Sequence, residues 1–132
     1  MKTLLVTGAA GRIGSFLRPE LQGKYKLRLT DIVPVRDLRP GETFVKADIS
    51  RLADMIKVTK GVDAVLHLGG QSGEAPFEQI LEANIVGFYN TLEAARRNGV
   101  KRFLVATSNH AVGFYRCDQT IDHLLDALLR RR

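Results

Sequence analysis

Short apolar runs alternate with longer segments in which apolar residues recur at helical spacing. The predicted strands are Leu4–Val6, Tyr25–Thr30, Thr43–Lys46, Ala64–Leu68 and Arg102–Thr107, and the predicted helices are Ile13–Leu21, Arg51–Thr59 and Phe77–Asn98. This alternation predicts an α/β fold, a doubly wound parallel sheet of about five strands with helices on both faces. Right-handed crossovers favour the strand order 3-2-1-4-5.

Polar and turn-forming residues mark the ends of these elements. Ser50 is expected to cap the N-terminus of the second helix, because its hydroxyl can accept from a free amide. Gly99 has the position of the residue that follows a helix C-terminus. The segment from residue 32 to residue 42 has no clear period and contains two prolines, so we expect it to be a loop.

Three glycines, Gly8, Gly11 and Gly14, lie between the first predicted strand and the first predicted helix. A tight turn with a close helix crossing would also favour glycine there. However, Asp31 follows the second strand, at about the 20-residue distance expected of an acid that accepts both ribose hydroxyls. The unpaired amides of a helix N-terminus attract phosphate groups. We therefore predict a dinucleotide-binding site at this turn.

The C-terminal segment Asp118–Arg132 predicts a final amphipathic helix. Its apolar face consists of Ile121, Leu124, Leu125, Leu128 and Leu129. This helix either covers an open face of the sheet or contacts a second copy of the chain, which makes a homo-oligomer one expectation. The whole chain is expected to be a single dinucleotide-binding domain, with a Rossmann-like core over residues 1–115 and the terminal helix after it.

Further polar residues and glycines fall at the carboxyl ends of predicted strands, where open α/β sheets bind ligands. They are Asp48, Gly69, Gly70 and Ser108. Bare backbone at the two glycines would let a cofactor lie close to the chain. The spacing leaves two interpretations of Asp48 equally open, a hydrogen bond to an adenine amino group or a purely local role in a loop.

Two polar residues stand inside apolar patterns. His67 is expected to be packed and hydrogen-bonded rather than catalytic, since no second metal-type ligand lies at useful spacing. Asn84 interrupts the apolar stripe of the third helix, where a buried amide needs a partner. It either makes a helix-packing contact or bonds the loop backbone beside the cofactor.

Composition excludes several classes of protein. The chain has 132 residues and a formal charge of +6, of which Arg130, Arg131 and Arg132 supply half. The remaining cations are scattered among acids, so nucleic-acid binding is not expected. No apolar run approaches the ~18 residues of a membrane span, and no secretory leader is apparent. Cys117 is the single cysteine. We therefore expect a cytoplasmic protein without an internal disulfide.

These motifs resemble the short-chain dehydrogenase/reductase superfamily in its extended epimerase/dehydratase branch, whose first motif reads TGxxGxxG, as at Thr7–Gly14. The segments His67–Ser72, Ala83–Gly87 and Thr107–Tyr115 are similar to those of uronate dehydrogenases. The resemblance runs from the N-terminus to about His123. It implies an oxidoreductase that transfers a hydride from C1 of a hexuronate to NAD.

The resemblance also implies roles for individual residues. Cofactor binding would involve Gly8, Gly11, Arg12, Ile13 and Gly14 at the pyrophosphate, Asp31 at the ribose, Asp48 and Ile49 at the adenine, and Leu68, Gly69, Gly70 and Asn84 along the middle of the cofactor. Ser108 would be the catalytic hydroxyl, and Ser72, Ser108, Asn109 and His110 would line the sugar site. The carboxylate at Asp31 would repel a 2′-phosphate, so NAD is expected in preference to NADP, although Arg36 is nearby.

The sequence departs from the family beyond Ser108. The family's chemistry uses a tyrosine as general base, with a lysine four residues later. Here the last lysine is Lys101, and Tyr115 has no lysine at that spacing. We therefore expect the cofactor-binding half of such an enzyme, with weak or no turnover. The alternative is a non-catalytic nucleotide-binding or protein-interaction module that dimerises through its terminal helix.

Overall fold

The computed structural model describes residues 1–108, which form a five-stranded parallel sheet. The strands are β1 (Thr3–Thr7), β2 (Lys26–Asp31), β3 (Glu42–Lys46), β4 (Ala64–His67) and β5 (Arg102–Val105). Their order is β3-β2-β1-β4-β5, which confirms the predicted topology. Because β1 is central and pairs with both β2 and β4, the chain reverses its direction of winding there. Parallel sheets bind ligands at such a point.

Helices cover both faces of the sheet. They are α1 (Arg12–Leu21), α2 (Leu52–Thr59) and a long helix composed of α3 (Phe77–Ile80), a π-helical segment (Leu81–Val86) and α4 (Gly87–Arg97). The predicted helix Phe77–Asn98 thus has nearly the right extent, but its π-helical interruption was not predicted. An extra residue per turn over one short segment barely disturbs the apolar period, so the pattern does not reveal it.

Successive side chains of β1 point to opposite faces of the sheet, and each face carries its own apolar cluster. Leu5 faces α2 and α4 and packs with Met55, Val58 and Val65. Leu4 and Val6 face the other way and pack in a cluster that includes Ala9, Leu27, Leu29 and Leu66, beside residues of α1. Most of these side chains are almost fully buried. Burial of both faces explains why the central strands are nearly continuous in apolar residues.

The start of α2 differs from the prediction. Arg51, not Ser50, occupies the N-cap position, and its side chain makes no capping bond. The Ser50 hydroxyl instead donates to Oδ1 of Asp48 at 2.8 Å, and the Ser50 amide donates to the same oxygen at 2.9 Å. The Ser50 amide and hydroxyl both bond the carboxylate two residues upstream, so Ser50 belongs to a turn before the helix. Gly99, at φ +67°, terminates α4 as predicted.

Strands β4 and β5 end earlier than the sequence predicted, at His67 and Val105. The Leu68 amide donates to the Thr7 side chain instead of continuing the sheet ladder. The predicted terminal helix lies outside the described residues. Within residues 1–108, none of the helices has the length and apolar character needed to cross a membrane.

Candidate dinucleotide-binding cleft

A cleft of about 550 Å³ lies at the carboxyl ends of the central strands. This volume is in the range of small-molecule sites. The cleft is lined by Gly8, Ala10, Gly11, Arg12, Ile13, Gly14, Asp31, Ile32, Val33, Ala47, Asp48, Ile49, Ser50, Leu68, Gly69, Gly70, Gln71, Ser72, Gln79, Glu82 and Ala83. The structure thus brings together eleven of the twelve predicted cofactor residues, all except Asn84.

The glycine turn is built by close backbone contacts. Gly8 has φ +65°, and a Cβ there would lie 2.8 Å from the carbonyl group of Leu68 and from the amide nitrogen of Gly69. A Cβ on Gly14 would lie 2.6 Å from the Gly8 carbonyl oxygen, so helix α1 packs on the turn itself. Gly11 has an ordinary φ of −70°, and its Cβ would approach only the Gly8 oxygen, at 3.1 Å. Gly11 also lines the cleft.

The first turn of α1 offers backbone donors. Gly11 is the N-cap residue and has no side chain to cap the helix, and the first intrahelical bond runs from the Ser15 amide to the Gly11 carbonyl at 2.9 Å. The amides of Arg12, Ile13 and Gly14 precede that bond. The first turn carries no acidic residue to neutralise the helix dipole. This end of α1 is therefore suited to an anionic group such as a pyrophosphate.

Asp31 ends β2 at the wall of the cleft and is half-buried. Its Oδ2 accepts from the Ala10 amide at 3.0 Å, and its Oδ1 accepts from the Val33 amide at 3.1 Å. The carboxylate therefore joins the glycine turn to the loop after β2. These two hydrogen bonds fix the orientation of the carboxylate, and both donors are backbone amides, not cationic side chains.

Asp48 and Ile49 line the same cleft beyond β3. Asp48 has the local role described above, and its amide also donates to Oδ2 of Asp54 at 3.1 Å. The side chain of Ile49 lies between two glycines: a Cβ would come within 3.3 Å of it from Gly69 and within 2.7 Å from Gly87. Gly87 thus lets α4 approach the cleft, a role that its position in a helix did not suggest.

Asn84, in the π-helical segment, holds the loop after β4. Its Oδ1 accepts from the Gln71 amide at 2.7 Å, and its Nδ2 donates to the Gln71 carbonyl at 2.9 Å. A Cβ on Gly70 would lie 2.9 Å from Oδ1. The interpretation of Asn84 as a partner of loop backbone is therefore confirmed. Asn84 holds the backbone of Gln71, which lines the cleft, but is not itself a lining residue.

His67 is packed and hydrogen-bonded, as predicted. It is 3% exposed, and its ring lies 5.8 Å from that of Phe88 and 5.9 Å from that of Phe103. Its Nδ1 is 2.9 Å from the Thr7 hydroxyl. Burial lowers the pKa of His67 to about 4, so the ring is neutral near pH 7. Among residues 1–108 no cluster of side chains is suited to hold a metal ion.

The loop between β2 and β3, which supplies Ile32 and Val33 to the cleft, is anchored by Arg18 of α1. The Arg18 guanidinium donates to both oxygens of Glu42, at 3.0 and 2.6 Å, and to the backbone carbonyl of Asp37 at 2.7 Å. Both the Arg18 and Glu42 side chains are almost fully buried. Burial alone would raise the pKa of Glu42, but hydrogen bonds from Arg18 and the Arg39 amide lower it.

The predicted substrate residues are only partly brought to the cleft. Ser72 lines it. Ser108 follows β5 at the same edge of the sheet and is exposed, but it does not line the cleft. Asn109 and His110 lie outside the described residues.

Several lining residues were missed by the sequence analysis. Ala10, Ile32, Val33, Ala47, Ser50 and Gln71 are chain neighbours of predicted residues, so proximity along the chain was a usable signal. Gln79, Glu82 and Ala83 come from the long helix. Glu82 and Ala83 directly precede Asn84, which was predicted to lie beside the cofactor, so their place in the chain was a usable signal. Gln79 was not indicated.

Comparisons with known proteins agree with this geometry. Residues 4–125 match the model of the NAD dependent epimerase/dehydratase family. A uronate dehydrogenase from Pseudomonas putida is 47% identical over 121 residues, which cover 90% of this chain and 45% of that protein. An NAD-dependent glucose-6-phosphate dehydrogenase from Haloferax volcanii is 37% identical over 127 residues, covering 90% and 48%.

A solved structure shows the same similarity. A mutant uronate dehydrogenase from Agrobacterium tumefaciens, complexed with NAD, has a TM-score of 0.82 and 46% identity, covering 87% of this chain and 44% of that one. The chain thus spans just under half the length of these relatives. The likeness supports the α/β fold of this chain, with its five-stranded parallel sheet.

Proposed function

The chain belongs to the NAD dependent epimerase/dehydratase family, and from that premise we propose that it is the NAD-binding half of a uronate dehydrogenase-like oxidoreductase. The observation that carries the proposal is the convergence on one cleft of the glycine turn, the free amides of α1 and the carboxylate of Asp31. These three features fit the pyrophosphate and ribose of a dinucleotide.

Different residues of the cleft are proposed to contact different parts of the cofactor. Amides of Arg12, Ile13 and Gly14 would bind the pyrophosphate, and Asp31 would accept from the adenosine ribose. The adenine would lie against the Asp48–Ile49 segment. Leu68, Gly69 and Gly70 would support the middle of the cofactor, where the glycines leave room close to the backbone.

NAD is the proposed form of the cofactor. A carboxylate already held by two backbone amides cannot turn away from a 2′-phosphate without breaking those bonds. The phosphate would therefore meet a like charge at short range. Arg36 is exposed in the adjoining loop, and the hydrogen bonds of the Asp31 carboxylate come from the backbone amides of Ala10 and Val33.

The proposed substrate class is a hexuronate, by analogy with the uronate dehydrogenases to which the chain is similar. Bound NAD would supply a hydride acceptor for C1 of the sugar. Ser72 and Ser108 are the described residues proposed to contact the sugar, with Asn109 and His110 beyond them. None of the 132 residues supplies the family's tyrosine–lysine pair, so cofactor binding without turnover is proposed for this chain alone.

The alternative of a non-catalytic interaction module is not favoured. Its distinguishing feature, the terminal apolar helix, lies outside the described residues. The cleft and the sequence identity to dehydrogenases both favour a cofactor site. A protein that only pairs with another protein would need neither feature.

Replacing Gly11 by valine tests the proposal. The new side chain would extend into the open side of the turn, where the pyrophosphate belongs, so NAD affinity should fall by at least ~100-fold, about the loss of two charge-assisted hydrogen bonds. Isothermal titration with NAD measures the change. Gly73→Val is the matched control, because Gly73 has no left-handed φ and its Cβ would meet only the side-chain Nε2 of Gln71, at 3.6 Å. Equal affinities of the two variants would contradict the phosphate-loop assignment.

A further inference from the structure

The Thr7 hydroxyl, at the end of β1, lies among three polar groups. Its oxygen is 2.9 Å from Nδ1 of His67, 3.2 Å from the Leu68 amide nitrogen and 3.0 Å from the Gly69 amide nitrogen. Backbone amides can only donate, and a hydroxyl oxygen has two lone pairs and one proton. The two amides therefore occupy both lone pairs, and the hydroxyl proton is left to be donated to Nδ1. It follows that Nδ1 is unprotonated and that the ring carries its proton on Nε2.

The sheet and its neighbours hold the His67 ring in this place. Thr7 and His67 are register partners in the β1–β4 pair, so their side chains emerge side by side. The rings of Phe88 and Phe103 pack beside the imidazole. The histidine is nearly inaccessible to water, which also favours its neutral form. The acceptor is therefore fixed in position and available to the hydroxyl.

The two amides that Thr7 binds belong to the floor of the cleft. Leu68 and Gly69 line it, and both lie against the glycine turn at Gly8. A Cβ on Gly69 would lie 3.2 Å from the Thr7 oxygen, which shows how closely the side chain underlies the floor. A displacement of the hydroxyl would thus free two amides at the surface where the middle of the cofactor is proposed to lie.

We propose that His67 is a positioning residue: by accepting the Thr7 hydroxyl proton, it orients the oxygen toward the amides of Leu68 and Gly69 and so fixes the floor of the dinucleotide cleft. The inference deepens the proposed function and rests on it for the identity of the ligand. His67 touches neither the cofactor nor the substrate in this account. Its effect reaches the cofactor through Thr7.

Paired variants test whether the His67–Thr7 hydrogen bond positions the cleft floor. His67→Phe keeps an aromatic ring but removes the acceptor, and His67→Asn restores an acceptor near the position of Nδ1. Thr7→Val removes the hydroxyl at nearly constant shape, and Thr7→Ser keeps it. NAD affinity should fall about three- to tenfold in His67→Phe and Thr7→Val, the effect of one net hydrogen bond, and stay within about twofold in His67→Asn and Thr7→Ser.

The affinity for AMP separates positioning from general damage. AMP carries the adenosine part of NAD, whose proposed contacts are Asp31 and the Asp48–Ile49 segment and not the floor. We expect AMP affinity to change by less than about twofold in all four variants, a loss too small for one hydrogen bond. Equal losses of AMP and NAD affinity in His67→Phe, or unchanged NAD affinity in that variant, would overturn the proposal.

Nitrogen-15 NMR of the wild-type protein provides a test that needs no cofactor. The imidazole should show a protonated Nε2 and an unprotonated, hydrogen-bonded Nδ1. The Leu68 and Gly69 amides should exchange with solvent at least ~3-fold faster in His67→Phe than in His67→Asn, for loss of one bond. A protonated Nδ1, or unchanged exchange, would contradict this role of His67. Failure of the wild-type protein to bind NAD, with these NMR results as expected, would instead contradict the proposed function.

Discussion

Asp31 carries the one side-chain charge proposed to act directly on the cofactor, and its geometry suggests a selective role. Replacing it by alanine should weaken NAD binding by about 10- to 100-fold, the range for a lost hydrogen bond to a charged group. The same change should reduce the preference for NAD over NADP, because the like charge beside the 2′-phosphate is removed. Titration with both cofactors measures the two effects.

Asp31→Asn serves as the control for charge. It retains an oxygen for one backbone amide and removes the negative charge, so it should relax the discrimination against NADP while losing less affinity for NAD. If the ratio of the two dissociation constants stayed the same in both variants, Asp31 would not be part of the ribose site.

His67 should make folding stability depend on pH. Its pKa is about 4 in the folded state, against an ordinary value of 6.5. Between these values the unfolded chain binds a proton that the folded protein does not, so stability falls as pH drops below 6.5. The loss should be about 2 kcal/mol at pH 5, at 1.36 kcal/mol per unit.

Urea denaturation at pH 7.5 and pH 5 measures this loss. The carboxylates with lowered pKa values contribute mainly below their ordinary value of 4.5 and so affect this window little. His67→Phe lacks the titrating group and should lose about 2 kcal/mol less than the wild type over the same interval. Equal losses in the two proteins would show that His67 titrates normally.

For single residues, the sequence predicted where a residue lies in the fold better than which atoms it contacts. Gly8, Asp31 and Gly69 could be placed at the cleft because strand ends and spacing fix where a residue falls along the chain. The sequence did not show that Gly14 would approach the backbone of Gly8 and Ala9. The Thr7 hydroxyl was not singled out, because its partners lie 60 and more residues away and come together only when β1 pairs with β4.

The contact between α1 and β3 depends on a buried ion pair. Arg18 and Glu42 are bidentate partners, and the same guanidinium holds the loop after β2 through Asp37. Arg18→Met should cost about 3–5 kcal/mol of unfolding free energy, because it leaves the Glu42 carboxylate buried without its cation. Urea denaturation of the variant measures this cost.

The double variant Arg18→Met with Glu42→Leu is the matched control. Removing both charges leaves no uncompensated ion, so it should recover most of the stability, to within about 1–2 kcal/mol of the wild type. A double variant as unstable as the single one would show that the cost comes from lost packing of Arg18 and not from its charge.

Elements were predictable where their pattern is periodic and local. All five strands and the three helical regions were foreseen, with ends that shift by one or two residues. The π-helical segment was not foreseen, and the Asn84 side chain within it bonds the Gln71 backbone 13 residues away, a contact that no local pattern shows. The prediction that Ser50 caps α2 was wrong, because Ser50 lies in a turn closed by its bonds to Asp48 and the helix begins at Leu52, one residue later than predicted. The sequence does not show the shape of that turn.

For the molecule as a whole, topology carries the functional information. Once the sheet order is set, the turn after β1, the end of β2 and the loop after β4 must meet at one edge. This is why a site made of residues from distant parts of the chain could be predicted before its contacts were known. The predicted single domain over residues 1–132 includes a segment beyond those described and remains a proposal.

Locating the NAD-binding site by NMR titration tests most directly whether the cleft binds a dinucleotide. Backbone amide spectra recorded during a titration with NAD should show saturable shifts at Gly8, at the amides of Arg12–Gly14, at Asp31 and at Leu68–Gly70. Amides of Arg18 and Glu42, in the last turn of α1 and at the start of β3, do not line the cleft and should move little. Saturable shifts confined to the cleft would support a dinucleotide site built on the glycine turn. An unchanged spectrum at millimolar NAD, or shifts centred on another surface, would contradict it.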